Sequence, residues 1–191
     1  MQNLPVLKRF DVKTPLGVVH LVSFDKSCVK HREVILDELS KVSGRALSLS
    51  DIVQTEEHPR PEIPALDFDV NWTHSGDVCV LAYAGEGVHV GVDFEIHKPN
   101  RLRIADHFFS AEEASYLKGL EENRAVEEFF RLWCRKEALF KCVGGAFFEG
   151  AIRRFVMENP LSLDQSSTVH FCDIDEPVGA AKASLCVAVC K

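Results

Sequence analysis

One stretch, His89 to His97, constrains the fold more than any other part of the chain. Apolar and polar side chains alternate along it, with Val88, Val90, Val92, Phe94 and Ile96 in the apolar set. Successive strand side chains point to opposite faces, so the alternation predicts a strand with one core face. The other face carries His89, Gly91, Asp93, Glu95 and His97. Because two neighbouring carboxylates repel each other, this face indicates a cation site.

Length and composition narrow the classes of protein that this chain can be. Its 191 residues, 46% of them apolar, suffice for one large domain or two small fused lobes. No apolar run approaches the roughly 20 residues that a membrane span needs. A net charge of −7 argues against nucleic-acid binding through a broad basic surface. We therefore expect neither a membrane nor a nucleic-acid partner.

The cysteines and the first residues indicate a cytoplasmic protein. The seven cysteines are an odd number and lack the CxxC spacing of a zinc site. They are typical of small core residues in a reduced compartment. Met1 to Pro5 lacks the charged, apolar and small-residue regions of a secretory signal. We therefore expect a cytoplasmic location.

Strand patterns dominate the first half of the chain and helix patterns open the second half. Before the strand predicted at residues 89–97, the sequence predicts strands at 17–24, 68–72 and 78–83 and a helix at 31–42. After it, Ser110 and Glu113 form a capping box for a helix to about Leu120, and a long helix should run from about Arg124 to Cys142. Short strands are predicted at 155–157, 168–172 and 185–190. The class is therefore α+β, with a boundary near 97–101.

Glu137 interrupts an apolar stripe of the long helix. The stripe is predicted to contain Val126, Phe130, Trp133, Glu137 and Phe140. A buried carboxylate is costly unless it is neutralised, paired or bound to metal. An ion pair with Lys141, one turn later, would explain Glu137 by itself. Together with Asp93 and Glu95, a third ligand for magnesium is the better interpretation, because magnesium prefers a few oxygen ligands.

Basic and hydroxyl groups surround these carboxylates in the sequence. Lys136 and Lys141 flank Glu137, and lysines beside a magnesium site indicate a polyphosphate ligand. Thr73 and His74 end a predicted strand and could hold phosphate oxygens, although such a turn is often only a turn. Glu113 is fully explained by its capping box.

Four ordered segments resemble those of a known family. Gly91 to Glu95 and Trp133 to Lys141 closely resemble the two signatures of 4′-phosphopantetheinyl transferases. Asn71 to Gly76 is similar to the upstream Asn-x-Ser-His-Ser element, with Thr73 in place of Ser. Phe108 to Glu113 is similar to the Phe-Phe-Ser-x-x-Glu element of the same family.

The resemblance implies a reaction and roles for individual residues. The reaction is transfer of the phosphopantetheine arm of coenzyme A to a serine of an apo carrier protein. By similarity, Asp93, Glu95 and Glu137 would bind magnesium. Thr73, His74, Lys136 and Lys141 would contact the pyrophosphate, and Arg32 and Arg60 would bind nucleotide phosphates. Glu113 would be the base for the serine hydroxyl, with Lys136 and Glu137 beside it in the catalytic centre.

The resemblance also implies an architecture. The family fold consists of two similar α/β lobes related by a pseudo-twofold axis, with the active site in the cleft between them. This chain is long enough for both lobes, like the monomeric surfactin-synthetase-activating type. We place the lobes at 1–97 and 98–191.

Two other functions stay open at this point. An Asp-x-Glu pair with a Lys also clusters in metal-dependent nucleases, although the acidic balance argues against that class. A coenzyme A or carrier-binding module without catalysis would keep the same fold, although its carboxylates would then have no role.

Overall fold

The computed structural model describes residues 6–27, 29–56, 60–98, 101–144, 155–174 and 182–191. Its strands are β1 (Val6–Thr14), β2 (Gly17–Asp25), β3 (Val70–Ser75), β4 (Val78–Ala84), β5 (His89–Ile96), β6 (Leu161–Ser162), β7 (Thr168–Ile174) and β8 (Ala183–Cys190). Its helices are α1 (His31–Ser43), α2 (Ala105–Phe108), α3 (Ala111–Lys118) and α4 (Glu122–Val143). Short 3-10 turns occupy Leu49–Asp51 and Arg101–Ile104.

The strands form two antiparallel sheets of four strands each. Sheet 1 has the order β1-β2-β4-β3, and sheet 2 has the order β5-β8-β7-β6. Sheet 2 therefore includes β5, which lies before residue 97 and so within the predicted N-terminal lobe. The α+β class is confirmed, whereas the division into lobes at 97 stays a prediction.

The two sheets pack face to face, and helices cover their outer faces. The inner core joins β2 and β4 of sheet 1 to β5 and β8 of sheet 2. Helix α1 packs against the outer face of sheet 1, while α3 and α4 pack against the outer face of sheet 2. Both faces of β5 are therefore covered, and Val90, Val92 and Phe94 are at most 1% exposed. No helix among the described residues is long and apolar enough to cross a membrane.

Gly91 lets α4 lie directly on β5. A Cβ atom at this position would be 2.0 Å from the carbonyl oxygen of Ala138 and 2.5 Å from the backbone nitrogen of Cys142. Both atoms belong to the helix backbone, which cannot move aside as a flexible side chain can. Glycine therefore sets the distance between the carboxylate strand and the helix that carries Glu137.

The predicted strand at 155–157 is wrong. Phe155 and Val156 are irregular, and residues 157–160 form bends. Side chains form hydrogen bonds with the backbone groups that would otherwise pair with a neighbouring strand. The Val156 amide donates to Glu113 Oε1 over 2.8 Å, and its carbonyl accepts from Arg135 Nη1 over 2.9 Å.

The predicted stripe of α4 is displaced by one residue. The buried face contains Ala125, Phe129, Leu132, Lys136 and Leu139, none more than 3% exposed. Of the predicted set only Phe130 is buried, and Glu137 is half-buried at the flank. Apolar residues occupy two adjacent stripes of this helix, so periodicity alone does not locate the centre. The ionisable residue in the middle of the buried face is Lys136.

Candidate active site

Side chains of β3 join the two sheets along a seam, which we define as residues 69–75 facing residues 89–96. Three backbone amides of β5 donate to these side chains: Val90 to Asp69 Oδ2 over 2.8 Å, Val92 to Asn71 Oδ1 over 3.0 Å and Ile96 to Ser75 Oγ over 3.2 Å. Every second residue from Asp69 to Ser75 therefore faces β5, as expected for a strand. The seam brings Thr73 and Ser75 to the two carboxylates predicted from the sequence.

Asp93 lies at the centre of the seam and is 4% exposed. Its Oδ1 accepts hydrogen bonds from Thr73 Oγ1 over 3.0 Å and from Lys141 Nζ over 2.6 Å. Its Oδ2 is buried and has no hydrogen-bond partner in the described part of the chain. The thiol of Cys134 is near enough that, in addition to burial, the charge of Asp93 raises the pKa of that thiol. An anionic oxygen buried without a donor is costly unless a cation reaches it.

Lys141 neutralises part of the negative charge of Asp93. Its ammonium group also donates to the carbonyl of Val92 over 3.1 Å. Burial by itself would lower the pKa of Lys141, but the charges of Asp93 and Glu137 outweigh burial and raise that pKa. Lys141 is therefore held as a cation beside Asp93.

Glu95 and Glu137 are the other two carboxylates predicted as magnesium ligands. Burial, followed by repulsion from Asp93, raises the pKa of Glu137. Burial also raises the pKa of Glu95, although the Ser75 hydroxyl, which donates to Glu95 Oε2 over 2.8 Å, partly offsets that rise. The negative charge of Asp93 thus acts on both Glu95 and Glu137.

The described residues do not form a finished metal cage. No three His, Cys, Asp or Glu side chains among them converge into a group that could hold an ion. Magnesium does not require such a cage, since it usually keeps several waters and shares one or two carboxylates with substrate phosphates. The unpartnered Asp93 Oδ2, next to two carboxylates with raised pKa values, fits that mode of binding.

Basic residues border the carboxylates on the side of sheet 1. We call them the basic rim: Lys26, His31, Arg32 and His74. The exposed His74 ring meets the His31 ring at 5.7 Å between centroids, in an edge arrangement. Burial and then the charge of Lys26 lower the pKa of His74, and burial followed by His74 and Arg32 lowers that of His31. Lys26 and His31 had no role in the sequence prediction, because neither lies in a recognisable motif. Their spacing along the chain gives no sign that they meet His74.

Arg32 and Arg60 occupy different surroundings. Arg32 is exposed on α1 and donates to Gln54 Oε1 over 2.9 Å. Arg60 donates to Asp69 Oδ2 over 2.6 Å and to the Val90 carbonyl over 3.0 Å, at the opposite end of the seam from Ser75. The side chain of Arg60 is only 10% exposed, so this guanidinium already ties the two sheets together.

Glu113 and Lys136 form an ion pair inside the core of sheet 2 and its helices. Lys136 Nζ lies 2.7 Å from Glu113 Oε2, and their side chains are 1% and 0% exposed. Glu113 Oε2 also accepts from the Ser110 amide over 3.0 Å, which confirms the capping box. Burial lowers the pKa of Lys136, and Glu113 opposes that effect. The structure thus pairs these two predicted residues with each other and with the helix cap.

Comparison with known proteins agrees with the motifs on which this geometry depends. A sequence model of the 4′-phosphopantetheinyl transferase superfamily matches residues 89–190, more than half of the chain. The chain belongs to this superfamily. The matched region contains the whole of sheet 2, all three carboxylates and α4.

Several curated relatives carry the same family name. The chain is 36% identical over 136 residues to 4′-phosphopantetheinyl transferase psf-1 of Bacillus pumilus, covering 69% of this chain and 55% of the relative. It is 36% identical over 119 residues to 4′-phosphopantetheinyl transferase Sfp of Bacillus subtilis (60% and 52%) and 32% identical over 116 residues to 4′-phosphopantetheinyl transferase AcpT of Escherichia coli (56% and 59%). The chain spans about half the length of the curated relatives it matches.

Proposed function

We propose that this protein transfers the 4′-phosphopantetheine arm of coenzyme A to a serine hydroxyl of an apo carrier protein, releasing adenosine 3′,5′-bisphosphate. The observation that supports this most is the buried carboxylate of Asp93, of which only Oδ1 accepts hydrogen bonds. It lies beside Lys141, and its charge acts on two further carboxylates, in a member of this superfamily. Transferase relatives at 36% identity do not favour a nuclease.

The metal in this proposal is magnesium, with Asp93, Glu95 and Glu137 as its protein ligands. When bound, it would neutralise charge on the pyrophosphate and so make the bisphosphate a better leaving group. The protein itself contributes fixed positions: Thr73 and Lys141 orient Asp93, and Ser75 orients Glu95. Groups held this way need little rearrangement when the substrate arrives.

The pyrophosphate and nucleotide phosphates would contact the basic rim. We assign Thr73, His74 and Lys141 to the pyrophosphate, and Arg32 to a nucleotide phosphate. Lys26 and His31 join them, because the charge of Lys26 acts on His74 and the His31 ring contacts the His74 ring. For Arg60 to bind a phosphate as predicted, it would have to exchange the Asp69 carboxylate for that phosphate.

Glu113 and Lys136 have two possible roles. As base and charge donor they would have to reach the substrate, whereas their side chains are at most 1% exposed and bonded to each other. A positioning role needs no such access, because the pair ties α3, α4 and the 155–157 segment together. We therefore propose positioning for both residues, with the base role as the alternative outcome of the next experiment.

Replacing Glu113 with Gln should destabilise the protein by about 3 kcal/mol or more, since the buried ammonium of Lys136 would lose its counter-charge. Urea unfolding measures this loss. At a temperature where the variant stays folded, kcat should fall by less than about fivefold, because Gln can still accept the Val156 amide. A general base contributes about 100-fold or more, and a loss of that size would contradict the positioning role. Glu33→Gln, on an exposed Glu of α1 that lies 3.3 Å from Lys30, is the matched control.

The expected partners follow from the same reaction. They are coenzyme A and an acidic apo acyl or peptidyl carrier protein, and we propose that the enzyme acts in the cytoplasm. The faces of both sheets pack against other elements of this chain, so we also propose that the protein acts as a monomer. Its lobes would be residues 1–97 and 98–191, with the site at the seam.

Incubation with coenzyme A, magnesium and several apo carrier proteins tests the reaction. Mass spectrometry should show the gain of one phosphopantetheine group on the carrier serine, and a Ser→Ala carrier is the matched control. Failure to modify any carrier at saturating coenzyme A would contradict the proposal. Binding of coenzyme A without any modification would instead support the non-catalytic module, and cleavage of DNA would support the nuclease.

Magnesium should stabilise the protein more at about pH 8 than at about pH 5. Raised pKa values keep Glu95 and Glu137 protonated to a higher pH, and a cation must displace those protons. In the metal-free protein, the stability that the protonated carboxylates contribute is lost as pH rises through the folded-state pKa, since the folded state must then hold repelling charges. Magnesium removes that repulsion, so its stabilising effect grows with pH.

Thermal unfolding with and without magnesium at the two pH values measures this difference. Glu137→Gln should reduce the pH dependence, because one of the two titrating carboxylates is gone. A magnesium effect that is equal at both pH values in the native protein would contradict the ligand assignment.

A further inference from the structure

Two buried thiols meet where the last turn of α4 crosses the end of β8. Cys142 Sγ and Cys190 Sγ are 3.1 Å apart, and the two residues are 2% and 7% exposed. Both are free thiols in this structure. A disulfide requires the sulfurs to approach to about 2.05 Å, a movement of about 1 Å that two side chains can supply.

The surrounding backbone holds the two residues in place. Cys190 lies opposite His89 in the ladder between β8 and β5. Cys142 Sγ contacts the carbonyl of the same His89 at 3.4 Å, and the backbone of Cys142 packs on Gly91. The thiols are therefore attached to rigid elements, α4 and sheet 2, that meet at a fixed distance.

The pair is also chemically asymmetric. The hydrogen bond between the sulfurs lowers the pKa of Cys190 and raises that of Cys142. Burial and the charge of Asp69 act in the opposite direction on the pKa of Cys190, and the charge of Arg60 offsets part of that effect. Cys190, the more exposed and more acidic thiol, is the one that would attack an oxidant.

We propose that Cys142 and Cys190 form a reversible intramolecular disulfide when the protein meets a peroxide. The Cys190 thiolate attacks one peroxide oxygen, the O–O bond breaks, and Cys190 becomes a sulfenic acid as the first water leaves. The Cys142 sulfur then attacks the Cys190 sulfur, the S–S bond forms, and the sulfenic oxygen leaves as a second water. Two thiol protons and two electrons thus reduce one hydrogen peroxide to two waters.

The other described cysteines do not share this arrangement. Cys79, Cys134 and Cys186 are at most 1% exposed. Cys172 is half-buried and reachable, so it is the control for oxidation that depends on exposure alone. The cross-link is independent of the transferase proposal, because it requires only the packing of α4 on β8.

Treatment of the purified protein with hydrogen peroxide, followed by alkylation of remaining thiols, tests the proposal. Before alkylation the intact mass should be lower by two hydrogens, and trypsin, which cuts after Lys141 and Lys182, should afterwards release a linked pair of peptides. Fragment ions must place the bond on Cys190 and not on Cys186, which shares its peptide. The apparent melting temperature should rise by about 10 °C and return to its starting value with dithiothreitol, since the cross-link closes a long loop.

Variants separate this bond from other oxidation. Cys172→Ser should keep the mass change and the thermal shift, whereas Cys190→Ser should lose both. Should Cys190→Ser fail to fold, Cys142→Ala removes the same bond from the helix side. Sulfinic acid on Cys190 without a link, a link to another cysteine, or a disulfide-bonded dimer on a non-reducing gel would each overturn the proposal.

Discussion

Replacing Asp93 with Asn should lower kcat/KM for carrier modification by at least about 1000-fold while the protein stays folded. Asn keeps the shape of the side chain and can still accept the Thr73 hydroxyl, so the seam retains that hydrogen bond. What it loses is the negative charge that Lys141 and the proposed magnesium share. Without it, a cation beside the other two carboxylates has no buried anion to bind.

The Asp93 experiment has a close internal control. Asp37 also holds a lysine at 2.6 Å, Lys41 on α1, but both side chains are about half exposed. Such a surface pair is worth about 0–1 kcal/mol, and Asp37→Asn should leave kcat/KM unchanged. Transfer by Asp93→Asn at the native rate, measured by carrier mass gain, would remove Asp93 from the proposed metal site. Circular dichroism and thermal unfolding establish that the variant is folded.

Replacing Gly91 with Ala should lower the free energy of unfolding by at least about 4 kcal/mol, or prevent folding altogether. The new methyl group would overlap the carbonyl oxygen of Ala138, 2.0 Å away, and α4 would have to move off β5. That movement would separate Glu137 and Lys141 from Asp93, so activity should fall with stability. Urea unfolding measures the first effect and the carrier assay the second.

Gly85→Ala provides the comparison for Gly91. Gly85 lies in the exposed turn before β5, and a Cβ there meets nothing within 4 Å. Its substitution should change stability by less than about 1 kcal/mol. Equal urea midpoints for the two variants would contradict the close contact between α4 and β5.

The sequence predicted the carboxylates of the site better than their partners. Alternation along β5 placed Asp93 and Glu95 together, and helical spacing placed Glu137 and Lys141 on one side of α4, because each signal is local in the chain. Residues 69–75 and β5 are linked by hydrogen bonds from backbone amides to side chains, not by backbone pairing. No sequence periodicity predicts such hydrogen bonds. His31 reaches His74 only through the packing of α1 on sheet 1, and Lys26 comes near it only because β2 pairs with β4.

The errors have physical causes of the same kind. Periodicity placed the buried stripe of α4 one residue away, since apolar residues fill two adjacent stripes and only packing against sheet 2 chooses between them. Lys136 was predicted from the family resemblance to contact the pyrophosphate, whereas it is 2% exposed and paired with Glu113. Strand β1 received no prediction, because half-buried and exposed positions alternate in it without a strong apolar set.

The seam also bears on how this protein avoids its own aggregation. β3 and β5 are edge strands of their sheets, and an uncovered edge offers free amides and carbonyls to strands of other chains. Asp69, Asn71 and Ser75 occupy amides of β5 that such a strand would need. The polar side chains that hold the proposed active site in place thus also close the free edge of β5 to foreign strands.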